Sequence, residues 1–396
     1  MTKSISSIDK EENRGRVAII AVGYNRLDSM TRLLSSLTKA SYDCDNVPLI
    51  ISIDASGNQE LYDKVNSFEW AYGDLYVNIQ SERLGLKRHI FSCMDMSEHF
   101  RAVILLEDDI YVAPQFYNYT LAALDAYEQD SKVCGIALYG IARNGYVGLP
   151  FIPMNNGYDV YLHQDVCTWG ECLTYSMWHS FRLWLEENET RTYEEIEMPS
   201  EIKMWTRAWS KYYYAYMLES EKAFVTPYVS YTTNFSDSGE HGNSTNVAQV
   251  PIQWGGCKKY AMPPSSFLVS YDAYYNNMAI YAALGLNSEE LTLDLYGNND
   301  FYLSKRYVLT TRMLPYKIVK EYNLSFYPIE VNVLQNIEGQ GIRLYDTTTR
   351  SEGVKPKKIQ YDYLKYYLGL NNPRLSLKYV LEYFYRAMCG KLGIRR

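Results

Sequence analysis

Three consecutive carboxylates, Glu107-Asp108-Asp109, follow four apolar residues, Val103-Ile104-Leu105-Leu106, without a break. Such an apolar run reads as a strand buried on both faces. Its end would set the three carboxylates at the mouth of a sheet. Oxygen ligands placed there can hold a divalent cation, and the cation can hold a diphosphate. Three like charges beside one another repel, and a bound cation is the simplest neutraliser. A helix cap, the plainer role, needs only one of the three. Arg26, Asp54 and Arg83 are less telling singly, since each also suits a turn, a cap or a surface position.

The elements that would position these residues alternate along the chain. Strands are expected at residues 16–22, 48–53, 75–79, 103–110 and 133–138. Between them lies a helix with apolar positions Met30, Leu33, Leu34 and Leu37, capped by Asp28 or Ser29. A polar helix follows the loop Ala55-Ser56-Gly57-Asn58, a third helix runs through Met96, and Pro114 and Phe116 open a fourth. An aromatic helix is expected over residues 203–218. This alternation predicts an α/β fold, a doubly wound, mostly parallel sheet. Ligands of such sheets sit beyond the carboxyl ends of the strands, where Arg26, Asp54, Arg83 and Asp109 all fall. Their shared placement says more than any one of them.

Composition bounds the alternatives. Of 396 residues, 47% are hydrophobic and 21% charged, as in a globular protein with a sizeable core. A formal net charge of −7 argues against a dedicated nucleic-acid binder. The seven cysteines form no CxxC pair, which suits a reducing compartment. Residues 1–16 contain no apolar core of a signal peptide, and no window approaches 18 uninterrupted apolar residues. A cytoplasmic protein is expected. The 40 tyrosines suit either sugar rings or ordinary packing.

The organisation expected is a disordered lead over 1–15, a main domain over 16–255, an accessory α+β region over 256–370 and a basic amphipathic helix over 371–396. In that helix Lys378, Glu382 and Arg386 share one face and Leu377, Val380, Leu381 and Phe384 another. It suits an anionic membrane surface or docking on its own domain equally.

Residues 16–245 resemble GT-A glycosyltransferases, in pattern the N-acetylglucosaminyltransferase I family and bacterial relatives of surface-polysaccharide synthesis. The resemblance rests on an ordered set: Tyr24-Asn25-Arg26, Ser52-Ile53-Asp54, Arg83-Leu84-Gly85-Leu86, Leu106-Glu107-Asp108-Asp109 with Val112-Ala113-Pro114-Gln115-Phe116, Thr168-Trp169-Gly170 with Trp178, Pro227 to Thr232, and Glu240-His241-Gly242. It implies a Rossmann-like GT-A domain and an inverting hexosyl or N-acetylhexosaminyl transfer. The donor would be a nucleotide-sugar, a UDP-sugar first, and the acceptor a glycan or lipid-linked glycan. Mn2+ or Mg2+ would assist, at the inner face of the cytoplasmic membrane.

By the same resemblance Asp54 would receive the uracil, Arg26 would lie near base or phosphate, and Arg83 and Glu107 would line the donor site. Asp109 would ligate the metal, with Asp108 near the ribose or the metal. Trp169 and Gly170 would border the acceptor. His241 would close over the diphosphate, as a metal ligand or a donor to one. The chain departs from the family near Trp209, where the expected acidic base is replaced by Ser210-Lys211-Tyr212-Tyr213. Glu171, beside the acceptor-loop glycine, is the first substitute, with Asp237, Glu240 and Asp165 as others. The same departure motivates a second expectation, a catalytically silent relative that binds glycan or nucleotide or organises an assembly. A nucleotidyltransferase is disfavoured, because Gly23-Tyr24-Asn25-Arg26 holds a single glycine.

Overall fold

The computed structural model describes residues 3–44, 46–206, 208–237, 248–358, 361–368 and 372–391. The chain divides into two units, Met1–Asn287 with Asn298–Phe301, and Ser288–Gly297 with Tyr302–Arg396.

In the first unit the expected alternation is present: β1 Val17–Gly23, α1 Leu27–Thr38, β2 Leu49–Ile53, α2 Gln59–Asn66, β3 Leu75–Ile79, α3 Leu86–Asp95, β4 Ala102–Glu107, β5 Ile110–Val112, α4 Phe116–Tyr127 and β6 Val133–Ala137. It continues with β7 Val160–His163, β8 Glu171–Thr174, α5 Tyr175–Asn188, α6 Ser210–Glu219, β9 Ala223–Pro227, β10 Thr232–Asn234 and β11 Ser270–Tyr271. Every residue of β1 and β2 is buried. Since alternate side chains point to opposite faces, the sheet is covered on both sides.

The nine-stranded sheet runs β3-β2-β1-β4-β8-β6-β9-β7-β11. The pairs β1–β2, β2–β3 and β1–β4 are parallel, while β8 lies antiparallel between β4 and β6. From β1 the chain winds outward through β2 and β3, then returns to pair β4 on the other edge of β1. The strand order therefore reverses between β1 and β4, and the crevice at such a switch point is where doubly wound sheets bind ligands. Register sets Val22 opposite Glu107 and Gly23 opposite Ile53, which brings three strand ends level.

Met30, Leu33, Leu34 and Leu37 of α1 are buried, as their spacing predicts. The cap differs. Arg26 occupies the N-cap position and its side chain makes no capping hydrogen bond, while the Ser29 hydroxyl donates to Asp237. Residues 3–15 are not a disordered lead over the part described: the Lys3 amide bonds the Leu75 carbonyl at 2.8 Å and extends the edge at β3. The aromatic helix expected over 203–218 begins only at Ser210, preceded by a short turn, Ser200–Lys203. The domain boundary lies after Asn287 rather than near residue 255, because β11 pairs with β7 and belongs to the main sheet.

The tyrosine excess serves packing to a large extent. The rings of Tyr117, Tyr119 and Tyr213 are buried. Their hydroxyls donate to the carbonyls of Val17, Ala137 and Cys134 at 2.8, 3.0 and 2.6 Å. Each fills apolar volume and satisfies a polar tip at once. Among the described residues, Cys44, Cys93, Cys134, Cys167, Cys172 and Cys257 are not joined in disulfides.

The second unit holds a sheet of β12 Leu291–Asp294, β13 Tyr307–Thr310, β14 Tyr316–Asn323 and β15 Gly341–Arg350, in the order β12-β13-β15-β14. The longest of these, β15, runs 10 residues. Buried Asp294 accepts from Arg312 Nε at 2.6 Å and from Thr310 at 2.9 Å, so its charge is paired. Two helices follow, α7 Tyr361–Leu368 and α8 Pro373–Lys391.

Ile104 is fully buried in β4, in register with Ile19 of β1 on one side and Cys172 of β8 on the other. Truncation by Ile104→Ala should destabilise the protein by about 2–5 kcal/mol, read as a lowered urea midpoint. A midpoint unchanged from the wild type would show that β4 is not central to the core.

Candidate functional site

At the reversal point the chain leaves β1 as Tyr24-Asn25-Arg26 and leaves β4 as Asp108-Asp109. A Cβ at Gly23, the end of β1, would lie 2.7 Å from Met30 Cε and 3.3 Å from Ile53 Cδ1, so a larger residue there would have to shift the Met30 side chain.

Arg26 grips the acidic turn. Its Nε donates to Asp108 Oδ2 at 3.2 Å and its Nη2 to Asp108 Oδ1, a two-pronged pair. Its Nη1 donates to Asp109 Oδ2 at 3.2 Å and to the Asp237 carbonyl at 3.1 Å. Asn234, at the end of β10, donates to Asp109 Oδ1 at 3.1 Å. The Phe235 amide bonds the Asp109 carbonyl at 2.9 Å. Asp237 accepts from Ser29 at 2.6 Å and from Arg32, whose guanidinium lies 4.0 Å over the Phe235 ring. Arg26, Asp108, Asp109 and Asp237, expected singly from sequence, thus form one network.

Burial sets the protonation pattern. Glu107 is pushed up to about 8 by burial and by the charges of Asp109 and Asp108. Asp108 is lifted to about 6 by burial, with Arg26 pulling the other way. Asp109 is raised for the same reason, and Arg26 is held protonated because Asp108 and Asp109 outweigh its own burial. At Asp237 burial is overcome by Ser29 and Arg32, and the carboxyl is lowered.

Asp54 takes a different part. It is 3% exposed. Its Oδ1 accepts from the amides of Ala55 and Leu84 at 2.9 and 2.8 Å, and its Oδ2 from the Gly85 amide at 2.9 Å. The carboxylate binds the Arg83-Leu84-Gly85 loop to the end of β2. Gly85 opens α3 at φ +76°, a conformation that favours glycine. Arg83 lies 4.7 Å over the Tyr24 ring, which joins the loops after β3 and β1.

On the other side of β4, Gly170 precedes β8 at φ +101°, where a Cβ would stand 2.8 Å from Thr232 Cγ2. Thr232 Oγ1 bonds the Trp169 carbonyl at 2.6 Å. Trp169 is 37% exposed and packs edge-on against Tyr139 at 4.8 Å. β10, which supplies Thr232 and Asn234, thereby holds both the Trp169-Gly170 turn and the acidic turn.

Glu171 has no water-facing carboxylate to offer as a base. It is 1% exposed, neither carboxyl oxygen has a hydrogen-bond partner, and burial, then the nearby Glu107, pushes its carboxyl well above the ordinary range. Asp165 accepts from Tyr146, Tyr214 and Tyr275 at 3.2, 3.1 and 2.6 Å. Glu240 and His241 lie outside the described residues. Ser210 stands buried at the first position of α6, where the family pattern would put the acid. Sequence reasoning read Ser29 only as a helix cap and missed Arg32 and Asn234. Ser29 and Arg32 lie three residues apart, the spacing of one helix face, and both reach Asp237.

Asp108 and Asp109 are an oxygen-donor pair of the kind that holds a hard cation. Their four oxygens are already engaged by Arg26 and Asn234. Among the described residues no group of three or more histidine, cysteine, aspartate or glutamate side chains is placed to hold a metal ion. The pair therefore fits a cation in donor chemistry, with Arg26 standing where the cation's charge would be.

No family model matches the chain, and no curated protein matches it. Solved structures do. S. aureus TarS 1-349 in complex with UDP-GlcNAc is 14% identical, over 57% of this chain and 60% of that one, with a TM-score of 0.38. The mannosyltransferase PcManGT from Pyrobaculum calidifontis, in complex with GDP-Man and Mn2+, is 13% identical over 56% of each chain, with a TM-score of 0.35. GalNAc-T7 with UDP, GalNAc and Mn2+ is 14% identical over 55% of this chain and 43% of that one, with a TM-score of 0.38. The chain thus spans less than two thirds of the length of each. The N-acetylglucosaminyltransferase I family, expected from the order of the motifs, is not among these three.

The sealed position of Glu171 gives a pH signature. Above its ordinary value of 4.5 the unfolded chain releases this proton, while the folded chain keeps it up to the raised value. The native state then binds more protons, and stability falls as pH rises through that window. Glu171→Gln should remove this component, so that urea midpoints at pH 5, 7 and 9 decline less steeply than in the wild type. Parallel pH profiles for the two proteins would show that Glu171 is ionised and solvated.

Proposed function

We propose that the protein is a glycosyltransferase of the GT-A kind, moving a sugar from a nucleotide-sugar, a UDP-sugar first, to a hydroxyl of a glycan or lipid-linked glycan with inversion. One observation carries this reading: the Arg26–Asp108–Asp109 network stands at the reversal point of a doubly wound sheet. The nucleoside would lie over β1, β2 and β3, where the Asp54-anchored loop forms the wall. The acceptor would approach past Trp169, whose exposed ring offers an apolar face to a sugar. Asp109, with Asp108 beside it, would hold a divalent cation, Mn2+ or Mg2+. When bound, such a cation supplies positive charge to the departing diphosphate. Arg26 and Arg32 add fixed positive charge on the same side, and Asn234 orients Asp109.

The expected setting is the synthesis of a bacterial surface polysaccharide at the inner face of the cytoplasmic membrane. Among the described residues no helix is long and apolar enough to cross a membrane. Helix α8 exposes Leu377, Val380, Leu381 and Phe384 on the face read from sequence, and this face would lie on anionic lipid. A second reading, binding without catalysis, is favoured by one observation: Glu171 and Asp237, two of the base candidates, are respectively sealed and paired with Arg32.

Two experiments test these readings. A nucleotide-sugar panel with MnCl2 should raise the melting temperature, and Asp109→Ala should abolish the Mn2+-dependent part of the shift. Metal-dependent binding that survives this substitution would sink the site. Slow hydrolysis of the stabilising donor without acceptor would exclude the silent reading. Separately, the full chain should co-sediment with vesicles containing anionic lipid, and the double substitution Leu381→Asp with Phe384→Asp should abolish this. Equal sedimentation of the two would reject the membrane role of α8.

A further inference from the structure

We infer that Arg26 is an internal counter-cation that competes with the divalent metal for Asp108 and Asp109, and that the donor diphosphate relieves this competition by drawing the guanidinium onto itself. The inference rests on the nucleotide-sugar reading of the site and adds to it a cause for metal and nucleotide binding together.

Occupancy is the first observation. Arg26 engages both oxygens of Asp108 and one of Asp109, and Asn234 takes the other. A cation arriving alone would have to break charge-assisted hydrogen bonds, the strong kind, and would leave the guanidinium beside itself as a like charge. Metal alone should therefore bind weakly.

Charge balance is the second. The carboxylates of Asp108, Asp109 and Asp237 outnumber the guanidiniums of Arg26 and Arg32 that pair with them. A diphosphate arriving alone, with two negative charges, meets a site of its own sign. Nucleotide alone should also bind weakly. Arriving together, the two ligands reverse both penalties.

Geometry makes the exchange feasible. The backbone of Arg26 is fixed at the start of α1, where its carbonyl accepts from the Met30 amide at 3.0 Å. The side chain covers the acidic pair from the solvent side: it is 27% exposed, against 4% for Asp108 and 15% for Asp109. An outward swing exchanges its bonds to Asp108, Asp109 and the Asp237 carbonyl for bonds to the diphosphate. A diphosphate offers the planar guanidinium the same two-oxygen geometry that Asp108 offers it. The vacated carboxylate oxygens then face the cation. Since each ligand removes an obstacle to the other, linkage requires their affinities to rise together by one shared factor.

The test is titration of MnCl2 alone, UDP alone and each in the presence of the other, followed by calorimetry, with the wild type and Arg26→Gln. The wild type should bind Mn2+ alone at least tenfold more weakly than Arg26→Gln. The mutual enhancement of Mn2+ and UDP should be at least tenfold in the wild type and several-fold smaller in the variant. Adding Asp109→Asn to Arg26→Gln should abolish Mn2+ binding. Equal Mn2+ affinity in wild type and Arg26→Gln, or Mn2+ binding that survives Asp109→Asn, would overturn the inference. The metal arm decides the role of Arg26 whatever the nucleotide does, whereas failure of UDP and of other nucleoside diphosphates to bind with Mn2+ would defeat the nucleotide-sugar reading itself. Should Arg26→Gln not fold, Arg26→Lys keeps the charge without the two-pronged grip, and its Mn2+ affinity should rise above that of the wild type; no rise would count against the inference.

Discussion

Neutralisation of carboxylates at the end of a buried strand is the constraint around which the site is built. β4 is apolar until it reaches Glu107, and the chain then turns through two further acids. Burial disfavours charge on all three: the Glu107 carboxyl is pushed upward, while Asp108 and Asp109 face Arg26. Isolated charges so placed would cost several kcal/mol each, so removing one partner of the network disturbs the others. This dependence extends through Asn234 and Thr232 to the Trp169-Gly170 turn, which is why a two-stranded ribbon of β5 and β10 sits where the two loops meet.

Much of this was legible in the sequence. Unbroken apolar runs identified β1, β2 and β4, because strands buried on both faces need no polar alternation, and helical spacing identified the buried face of α1. The gathering of Arg26, Asp108 and Asp109 followed from their common position at strand ends. Other features were not legible for physical reasons. β8 is a short strand of Glu171, Cys172, Leu173 and Thr174, and its antiparallel insertion between β4 and β6 is decided by partners distant in sequence. The break between residue 203 and Ser210 escaped the helical reading because its residues are as aromatic as the helix that follows. The domain boundary escaped because β11 has only two residues, and only its pairing with β7 reveals it.

Residue roles were less legible than residue positions. Asp54 was marked by its place after β2, but spacing does not reveal that its oxygens accept the amides of Leu84 and Gly85. Glu171 was marked by its place beside a glycine turn, and pairing register decided its surroundings. Opposite both Leu105 and Ala137, it is inside the sheet whatever its charge prefers. A polar side chain in a strand reads as a surface residue until the neighbouring strands are known.

The insertion of β8 also bears on how the chain is made. Strands β1 to β4 can pair with one another as soon as residue 107 has left the ribosome, since they are parallel neighbours joined by local helices. The second edge of β4 gains its partner only when Thr174 has followed. Until then Val103, Leu105 and their unpaired backbone groups form an open apolar edge on a nascent sheet, of the kind that recruits other chains. The acids that close this strand carry charge at its tip throughout the interval, and charge at an open edge disfavours pairing with other chains.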